Sequence, residues 1–387
     1  MKKTLLTICL TWMCFSLSAQ KIIDLSGKWS FSIDRQDNGE KEKWFSHTLN
    51  DCINLPGSMP EKLKGDEVTA KTQWTGSLYD SSYYYNPYME KYRKEGNIKF
   101  PFFLTPDKHY VGAAWYQKEV NIPADWKGER ILLFLERPHI ETTVWVNGQK
   151  TGMQNSLCVP HQYDITRYVR PGKCTITIRV DNRIKEINVG PDSHSITDQT
   201  QGNWNGIVGR ICLQTTPKTY FDDIQIYPEP EQKLARVKVV IKGAGITKIK
   251  LSAESFNTDK KHIVPAIQQE IKLNKGVTET EMVLPMGNDM LLWDEFHPAL
   301  YKLKAEVTNG KKTEIKEIQF GMRRFEIKGK WFYVNGRKTQ LRGTVENCDF
   351  PLTGYAPMDV ESWERVFRIC RSYGLNHICL LYTSPSP

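Results

Sequence analysis

The chain has 387 residues, enough at about 150 residues per domain for two to three domains with cores of their own. Hydrophobic residues make up 40%, aromatics 11% and charged residues 25%, with 53 Lys+Arg against 44 Asp+Glu and a net charge of +9. That composition excludes a disordered chain, a collagen-like fibre and a polytopic membrane protein. No Lys/Arg run concentrates the positive surplus, so dispersed surface charge is expected, without a nucleic-acid partner.

Lys2 and Lys3 precede a thirteen-residue apolar stretch, Leu5–Leu17, and small residues follow up to Ala19. This reads as a secretory signal peptide over residues 1–19, cleaved after Ala19. Its removal takes two positive charges and leaves +7. Thirteen apolar residues are too few to cross about 30 Å of hydrocarbon. The expected location is therefore secreted or periplasmic, with no stable membrane insertion. Cys14 lacks the small residues that a lipoprotein cleavage box needs before it. Once Cys9 and Cys14 leave with the leader, seven of the nine cysteines remain: Cys52, Cys158, Cys174, Cys212, Cys348, Cys370 and Cys379. They form no Cys-x-x-Cys and no Cys/His cluster. They read as small buried hydrophobes, so no metal or cofactor is expected, and the odd count leaves at least one unpaired.

Residues 20–217 read as β-rich. Ile131–Leu135, Thr142–Val146 and Thr175–Val180 are strand-like runs, and Asn147-Gly148 predicts a tight hairpin turn. Ile122–Gly128 is a connecting loop. The pattern suits a two-sheet sandwich or jelly roll. Thr72–Tyr110 interrupts it as a long loop without sustained period, carrying Tyr79, Tyr83, Tyr84, Tyr85, Tyr88 and Tyr92. That cluster is either a sugar platform or a satellite aromatic core. Residues 218–319 form a second all-β region, entered stiffly through Pro228 and Pro230. Ala235–Ile241 alternates, and Ala305–Gly310 runs from a strand into a turn. Its size suits an immunoglobulin-like sandwich. Asp294 and Glu295 are neighbours along the chain and read as loop charges.

From Phe320 the pattern changes. Trp331–Gly336 predicts a hairpin and Thr339–Gly343 a short strand. Asp359 then caps a helix over Val360–Tyr373, whose apolar residues follow helical spacing, and Gly374 ends it. Leu375–Ile378 opens another strand. Strand, helix, strand is the start of a parallel α/β unit. A barrel of eight such units takes about 250 residues, and this region holds 68.

Three groups of segments resemble glycoside hydrolase family 2, the β-galactosidase, β-glucuronidase and β-mannosidase group. Ala114–Pro123 (AWYQKEVNIP), Val144–Gly148 (VWVNG) and Tyr163–Thr166 (YDIT) are similar to its N-terminal sugar-binding domain. Trp204–Arg210 (WNGIVGR) is similar to the segment that closes that domain. Phe320–Arg323 (FGMR), Val334–Gly336 (VNG) and Leu341–Gly343 (LRG) are similar to the linker and first barrel strand. The resemblance covers roughly residues 110–378 and rests on their order and spacing. It implies a jelly roll, an immunoglobulin-like domain and a (β/α)8 barrel. It also implies retaining hydrolysis by two glutamates about 5–5.5 Å apart. In the family the acid/base glutamate follows an asparagine near barrel strand four, and the nucleophile lies near strand seven. This chain has no Asn-Glu dipeptide. Both catalytic glutamates are therefore expected beyond residue 387, and the chain alone is expected to be inactive.

Two departures qualify the resemblance. The stretch Gly343–Cys348 reads GTVENC, where the family usually carries a His-Glu pair after strand one. Cys379 stands where an arginine is usual after Asn376-His377-Ile378, and the likeness ends there. An artificial end or a reading-frame break near residue 379 is the expectation.

By the same resemblance, Arg342 and Asn376 are candidate sugar contacts at strand ends, against a structural salt bridge for Arg342. Glu346, Asn347 and Asp349 in the loop after strand one offer the acceptors that hydroxyl-rich ligands need, against a merely polar loop. His377 is a candidate contact against a core histidine. Asp198 and Trp204 lie where the first domain of family members reaches the barrel mouth, and Trp204 offers a ring face for a pyranose, against a place in the core. The implied partner is a carbohydrate, the terminal β-linked sugar of a glycan or polysaccharide. The alternative is a non-catalytic carbohydrate-binding β-sandwich protein. An unrelated adhesive sandwich would leave the strand–helix–strand at the end unexplained.

Overall fold

The computed structural model describes residues 21–74, 85–99, 102–157, 159–185, 198, 202–346 and 350–380. The expected leader, Tyr79, Tyr83, Tyr84, Cys158, Asn347, Cys348 and Asp349 lie outside them. The chain is mainly β and clusters into two units: Pro217–Arg337, and Lys21–Thr216 with the described part of Lys338–Pro387.

Thirteen strands run through Lys21–Thr216. They are β1 (Ile22–Asp24), β2 (Gly27–Asp34), β3 (Asp51–Leu55), β4 (Gly57–Ser58), β5 (Asp66–Glu67), β6 (Lys108–His109), β7 (Ala113–Ile122), β8 (Arg130–His139), β9 (Glu141–Val146), β10 (Gln149–Asn155), β11 (His161–Asp164), β12 (Gly172–Asp181) and β13 (Gly206–Thr216). One sheet has the order β1-β13-β8-β11, with β4 also on β13, and the other the order β10-β9-β12-β7-β2-β3. Strand alternation explains the core between them. Ile131, Leu133 and Leu135 of β8 are buried with Ile176, Ile178 and Val180 of β12 and with Trp29 and Phe31 of β2. Each such side chain contributes about 1.5–3 kcal/mol on leaving water. Trp115 and Trp145 occupy the other face of the six-stranded sheet, stacked at 5.0 Å, and Phe45 stacks on Trp145 at 5.2 Å. Asn147 and Gly148 take positive φ between β9 and β10, as the Asn-Gly pair predicts.

The long insertion is not featureless. Short 3-10 turns form at Pro87–Arg93 and Phe102–Leu104, and β5 pairs with β6. Its composition hid these elements because a single 3-10 turn has no period to detect.

The other unit holds β14 (Tyr220–Glu229), β15 (Leu234–Ser255), β16 (Ile263–Pro285), β17 (Tyr301–Asn309), β18 (Lys312–Phe320), β19 (Phe325–Lys328) and β20 (Trp331–Val334). Ala235–Ile241 is only the start of β15. The strand shifts register at Gly243–Gly245, pairs first with β14 and then with β17, and keeps β16 beside it almost throughout. The alternation read at Ala235–Ile241 stops short of Gly243 and Gly245, where a bulge only bends the strand. Val237, Val239, Ile241, Ile249 and Leu251 share one core with Leu303 and Ala305. Pro228 lies inside β14, not ahead of the unit. The β19–β20 hairpin clusters with this unit too, which runs to Arg337. Asp294 accepts the amides of Phe296 and His297, as a turn residue does.

The remaining elements are β21 (Arg337–Thr339), β22 (Gly343–Glu346), α1 (Val360–Ser372) and β23 (His377–Leu380). The strand expected at Thr339–Gly343 starts at Gly343 instead. Before it, Asn376 Nδ2 donates to the Gln340 carbonyl at 3.1 Å. β22 and β23 pair in parallel, with Gly343 opposite His377 and Glu346 opposite Leu380. Asp359 caps α1 by accepting the Ser362 amide at 2.8 Å, and Gly374 follows the helix at φ +76°. This is one βαβ unit. Among the described residues of the chain nothing extends it toward a closed barrel.

Candidate functional site

A parallel pair has a direction, and ligands of parallel α/β units gather outside the carboxyl ends of the strands. Arg342 and Asn376 lie at the opposite end. Each immediately precedes its strand, and they bind one another. The Arg342 amide donates to Asn376 Oδ1 at 2.8 Å, the Asn376 amide donates to the Arg342 carbonyl at 2.9 Å, and Arg342 Nε donates to the Gly374 carbonyl at 2.8 Å. Both residues thus tie the amino ends of β22 and β23 together, at the end away from the loop that Glu346 leads into. His377 begins β23, and its ring lies so close over Gly343 that an added Cβ there would meet Cδ2 at 2.9 Å. It is exposed and not a core residue. Glu346 ends β22, so of the described candidates on this pair it is the one at the carboxyl end.

The loop that leaves that end, through Phe350–Asp359, packs on the first domain. Ser58 Oγ donates to the Thr353 carbonyl at 2.5 Å, and Tyr355 Oη donates to Glu61 Oε2 at 3.0 Å. Ser58 and Glu61 hold each other as a capping box does. Ser58 Oγ accepts the Glu61 amide at 3.2 Å, and Glu61 Oε2 accepts the Ser58 amide at 3.3 Å. Burial, and then the Glu61 carboxylate, push the Tyr355 phenol well above its ordinary range, so it stays a donor. Sequence reasoning missed this pair. The Ser-x-x-Glu spacing of Ser58 and Glu61 was the available signal.

Trp204 lies beneath Tyr355 with ring centroids 5.5 Å apart, and His139 stacks on Trp204 at 4.5 Å. Trp204 is 3% exposed, so its ring presents no face to solvent in this state. Asp198 is buried as well, with His109 Nε2 3.5 Å from its Oδ1. The structure thus brings Trp204 to the loop after β22 but packs both of its neighbours against it. His139 ends β8 opposite Gly206 and is buried. Among the described residues neither of its ring nitrogens makes a full hydrogen bond, and the Asn203 side chain only weakly favours its charged form. Burial, reinforced by the charge of Arg137, lowers its pKa to about 3. The ring is therefore neutral at any physiological pH. Asn205 anchors the segment: its Oδ1 accepts Tyr116 Oη at 2.8 Å, and its Nδ2 donates to the Gly112 and Val180 carbonyls, each at 3.0 Å.

Beside the loop lies a cleft of about 720 Å³ lined by Pro56, Glu136, Arg210, Leu352, Tyr355 and Met358, among others. Glu136 Oε2 accepts the Arg210 amide at 2.6 Å and its Nε at 3.2 Å. Gly209 permits this at φ +72°, because a Cβ there would meet Glu136 Oε2 at 2.7 Å and Met358 Cε at 2.8 Å. Among the described residues no group of three His, Cys, Asp or Glu side chains is placed to hold a metal ion. Cys52, Cys174, Cys212 and Cys370 are free thiols, and Cys174 and Cys212 are buried.

Comparison with known proteins identifies the first domain and most of the second unit. Residues 22–217 match the family described as glycosyl hydrolases family 2, sugar binding domain, and residues 219–323 match glycosyl hydrolases family 2. A β-glucuronidase of Paenibacillus borealis is 23% identical over 355 residues, covering 87% of this chain and 51% of that protein. A β-galactosidase of Thermoanaerobacter pseudethanolicus is 24% identical over 300 residues, covering 73% of this chain and 38% of that protein. The solved apo β-glucuronidase of Ruminococcus gnavus shares the fold at 19% identity and a TM-score of 0.65, covering 93% of this chain and 55% of its own. The chain thus spans about half the length, or less, of these relatives. With the sugar-binding model alone matching 196 of its 387 residues, this chain belongs to glycosyl hydrolases family 2.

Proposed function

We propose that this chain is the amino-terminal part of a secreted, retaining β-glycosidase of β-galactosidase-like type. Its substrate is the terminal β-linked sugar of a glycan or polysaccharide. In this reading residues 20–217 are a sugar-binding jelly roll, 218–319 an immunoglobulin-like sandwich, and 320 onward the opening of a (β/α)8 barrel. The observation that carries the reading is the parallel β22–β23 pair, whose carboxyl-end loop is bound to the first domain through Tyr355 and Glu61. A sugar-binding domain held against the ligand end of a parallel unit is what such an enzyme requires.

The chemistry needs one carboxylic acid to protonate the leaving oxygen and a second carboxylate to attack the anomeric carbon, about 5–5.5 Å away. In this reading neither glutamate is among the 387 residues. Glu346 contributes a polar contact at the mouth, while Asp198 and Trp204, both buried, support it from within the first domain. The leader ends at Ala19, so amino-terminal sequencing of the exported protein should find Gln20 first.

Reading the gene locus beyond the codon for Ile378 tests the proposal. It predicts a frame that continues through an arginine into further βα units bearing an Asn-Glu and a later glutamate. A stop codon directly after Pro387 would instead favour a carbohydrate-binding protein without catalysis, which the departures at Gly343–Cys348 and Cys379 also fit.

A further inference from the structure

The insertion between β5 and β6 carries a surface that the glycosidase reading leaves unused. Tyr85 and Tyr88 are each 82% exposed. Tyr88 and Lys91 stand three residues apart in the 3-10 turn Pro87–Arg93, so they fall on one side of it, about 6 Å apart along its axis. Lys94 follows on the same spacing and reaches Glu90 at 3.6 Å.

The turn is held in shape from both ends. Asn86 Oδ1 accepts the Tyr88 amide at 3.0 Å, and Asn97 Nδ2 donates to the Lys91 carbonyl at 2.7 Å. Tyr92 packs edge-on against Phe103 at 5.5 Å, with Lys91 Nζ 4.7 Å from the Tyr92 ring centre. Lys91, Arg93, Lys94 and Lys99 outnumber Glu90 and Glu95 over the same stretch.

We propose that Tyr85, Tyr88 and Lys91 form an accessory surface for a chain of anionic pyranose sugars, carrying uronate or sulfate groups. The tyrosine rings offer flat apolar faces to the C–H face of a sugar, with a phenol at the edge for its hydroxyls. The Lys91 ammonium, 4.7 Å from the Tyr92 ring centre, supplies a compact positive charge on the same turn as Tyr88. A neutral glycan would leave the basic surplus unmatched. Because the turn is braced before any ligand arrives, little ordering opposes binding. The surface stands whether or not the glycosidase reading holds.

The test is titration of the 387-residue protein with polygalacturonate, dextran sulfate, unmodified dextran and poly(U). The proposal expects saturable binding to one or both anionic glycans that weakens with added salt, and no binding to dextran. Which of the two binds separates a uronate site from a sulfate site. Tyr88→Ala should weaken binding about fivefold and Lys91→Glu by about tenfold or more. Both variants should keep the wild-type unfolding curve, since both side chains are exposed. Equal binding to dextran or to poly(U), no binding at all, or affinity indifferent to Tyr88→Ala would each overturn it. So would Tyr88-dependent dimerisation without glycan binding.

Discussion

Tyr355 Oη donates to Glu61 Oε2 at 3.0 Å across 294 residues of sequence, and this bond fastens the loop leaving β22 to the first domain. Tyr355 also rests on Trp204, so one side chain joins the polar and the aromatic halves of the contact. Tyr355→Phe keeps the ring and removes the donor. The expected loss is about 1–2 kcal/mol, because a partly buried carboxylate forfeits a charge-assisted bond. Trp204→Ala opens a cavity and should cost about 3–5 kcal/mol. Urea unfolding followed by circular dichroism measures both, and equal losses in the two variants would contradict this division.

The pH dependence of stability follows from two buried histidines. Burial lowers His139 to about 3 and His161 to about 4. Below pH 6.5 the unfolded chain takes up protons that the native rings refuse. Stability should therefore be level above pH 6.5 and fall below it, by about 1.4 kcal/mol per pH unit for each histidine until its native pKa is reached. His139→Phe keeps an aromatic ring on Trp204 and should roughly halve the slope between pH 6 and pH 4.5. Urea midpoints across that range decide the matter, and an unchanged slope would count against a buried neutral His139. Asp181 changes the slope only at lower pH. Burial alone would raise its carboxyl, but Arg183 and Lys185 hold it well below the usual range, so its share of stability is lost only below pH 3.8.

Asn205 fixes the segment that ends at β13 by one accepted and two donated bonds, all buried. Asn205→Leu leaves Tyr116 Oη and two carbonyls without that partner. The expected loss is about 3 kcal/mol or more, at about 1–3 kcal/mol for each buried group left unsatisfied. A loss below 1 kcal/mol in the same urea assay would mean that water replaces the amide.

Helix α1 should be the least protected element of the described chain. None of its residues is buried, and Val360, Phe367 and Ile369 are largely exposed. A helix of 13 residues is marginal in water without packing. Amide exchange at its central residues should approach that of an isolated peptide, while β8 and β12 exchange slowly. Slow exchange in α1 would show that it is covered in solution.

Much of this was legible in the residues. Apolar or alternating runs marked β8, β9 and β12, and Asn147-Gly148 marked the turn after β9. Asp359 and Gly374 bracketed α1 to within one residue, because caps are local chemistry. Two kinds of feature were hidden. The length of β15 was hidden because Gly243 and Gly245 signal a stop and form a bulge. The place of Arg342 and Asn376 was hidden because both strands begin later than their apolar patterns suggest, at Gly343 and His377, which puts the two residues just ahead of the amino ends. The contact of Glu61 with Tyr355 depends on how two distant segments pack, and no spacing reports that.

The most direct measurement is turnover of aryl β-galactosides and β-glucuronides by the purified 387-residue chain, set beside a protein expressed from the frame continued past Ile378. The account predicts no release of the aryl group by the first and hydrolysis with retained anomeric configuration by the second. Turnover by the 387-residue chain would place the catalytic pair within it, and an inactive continued protein would remove the glycosidase reading.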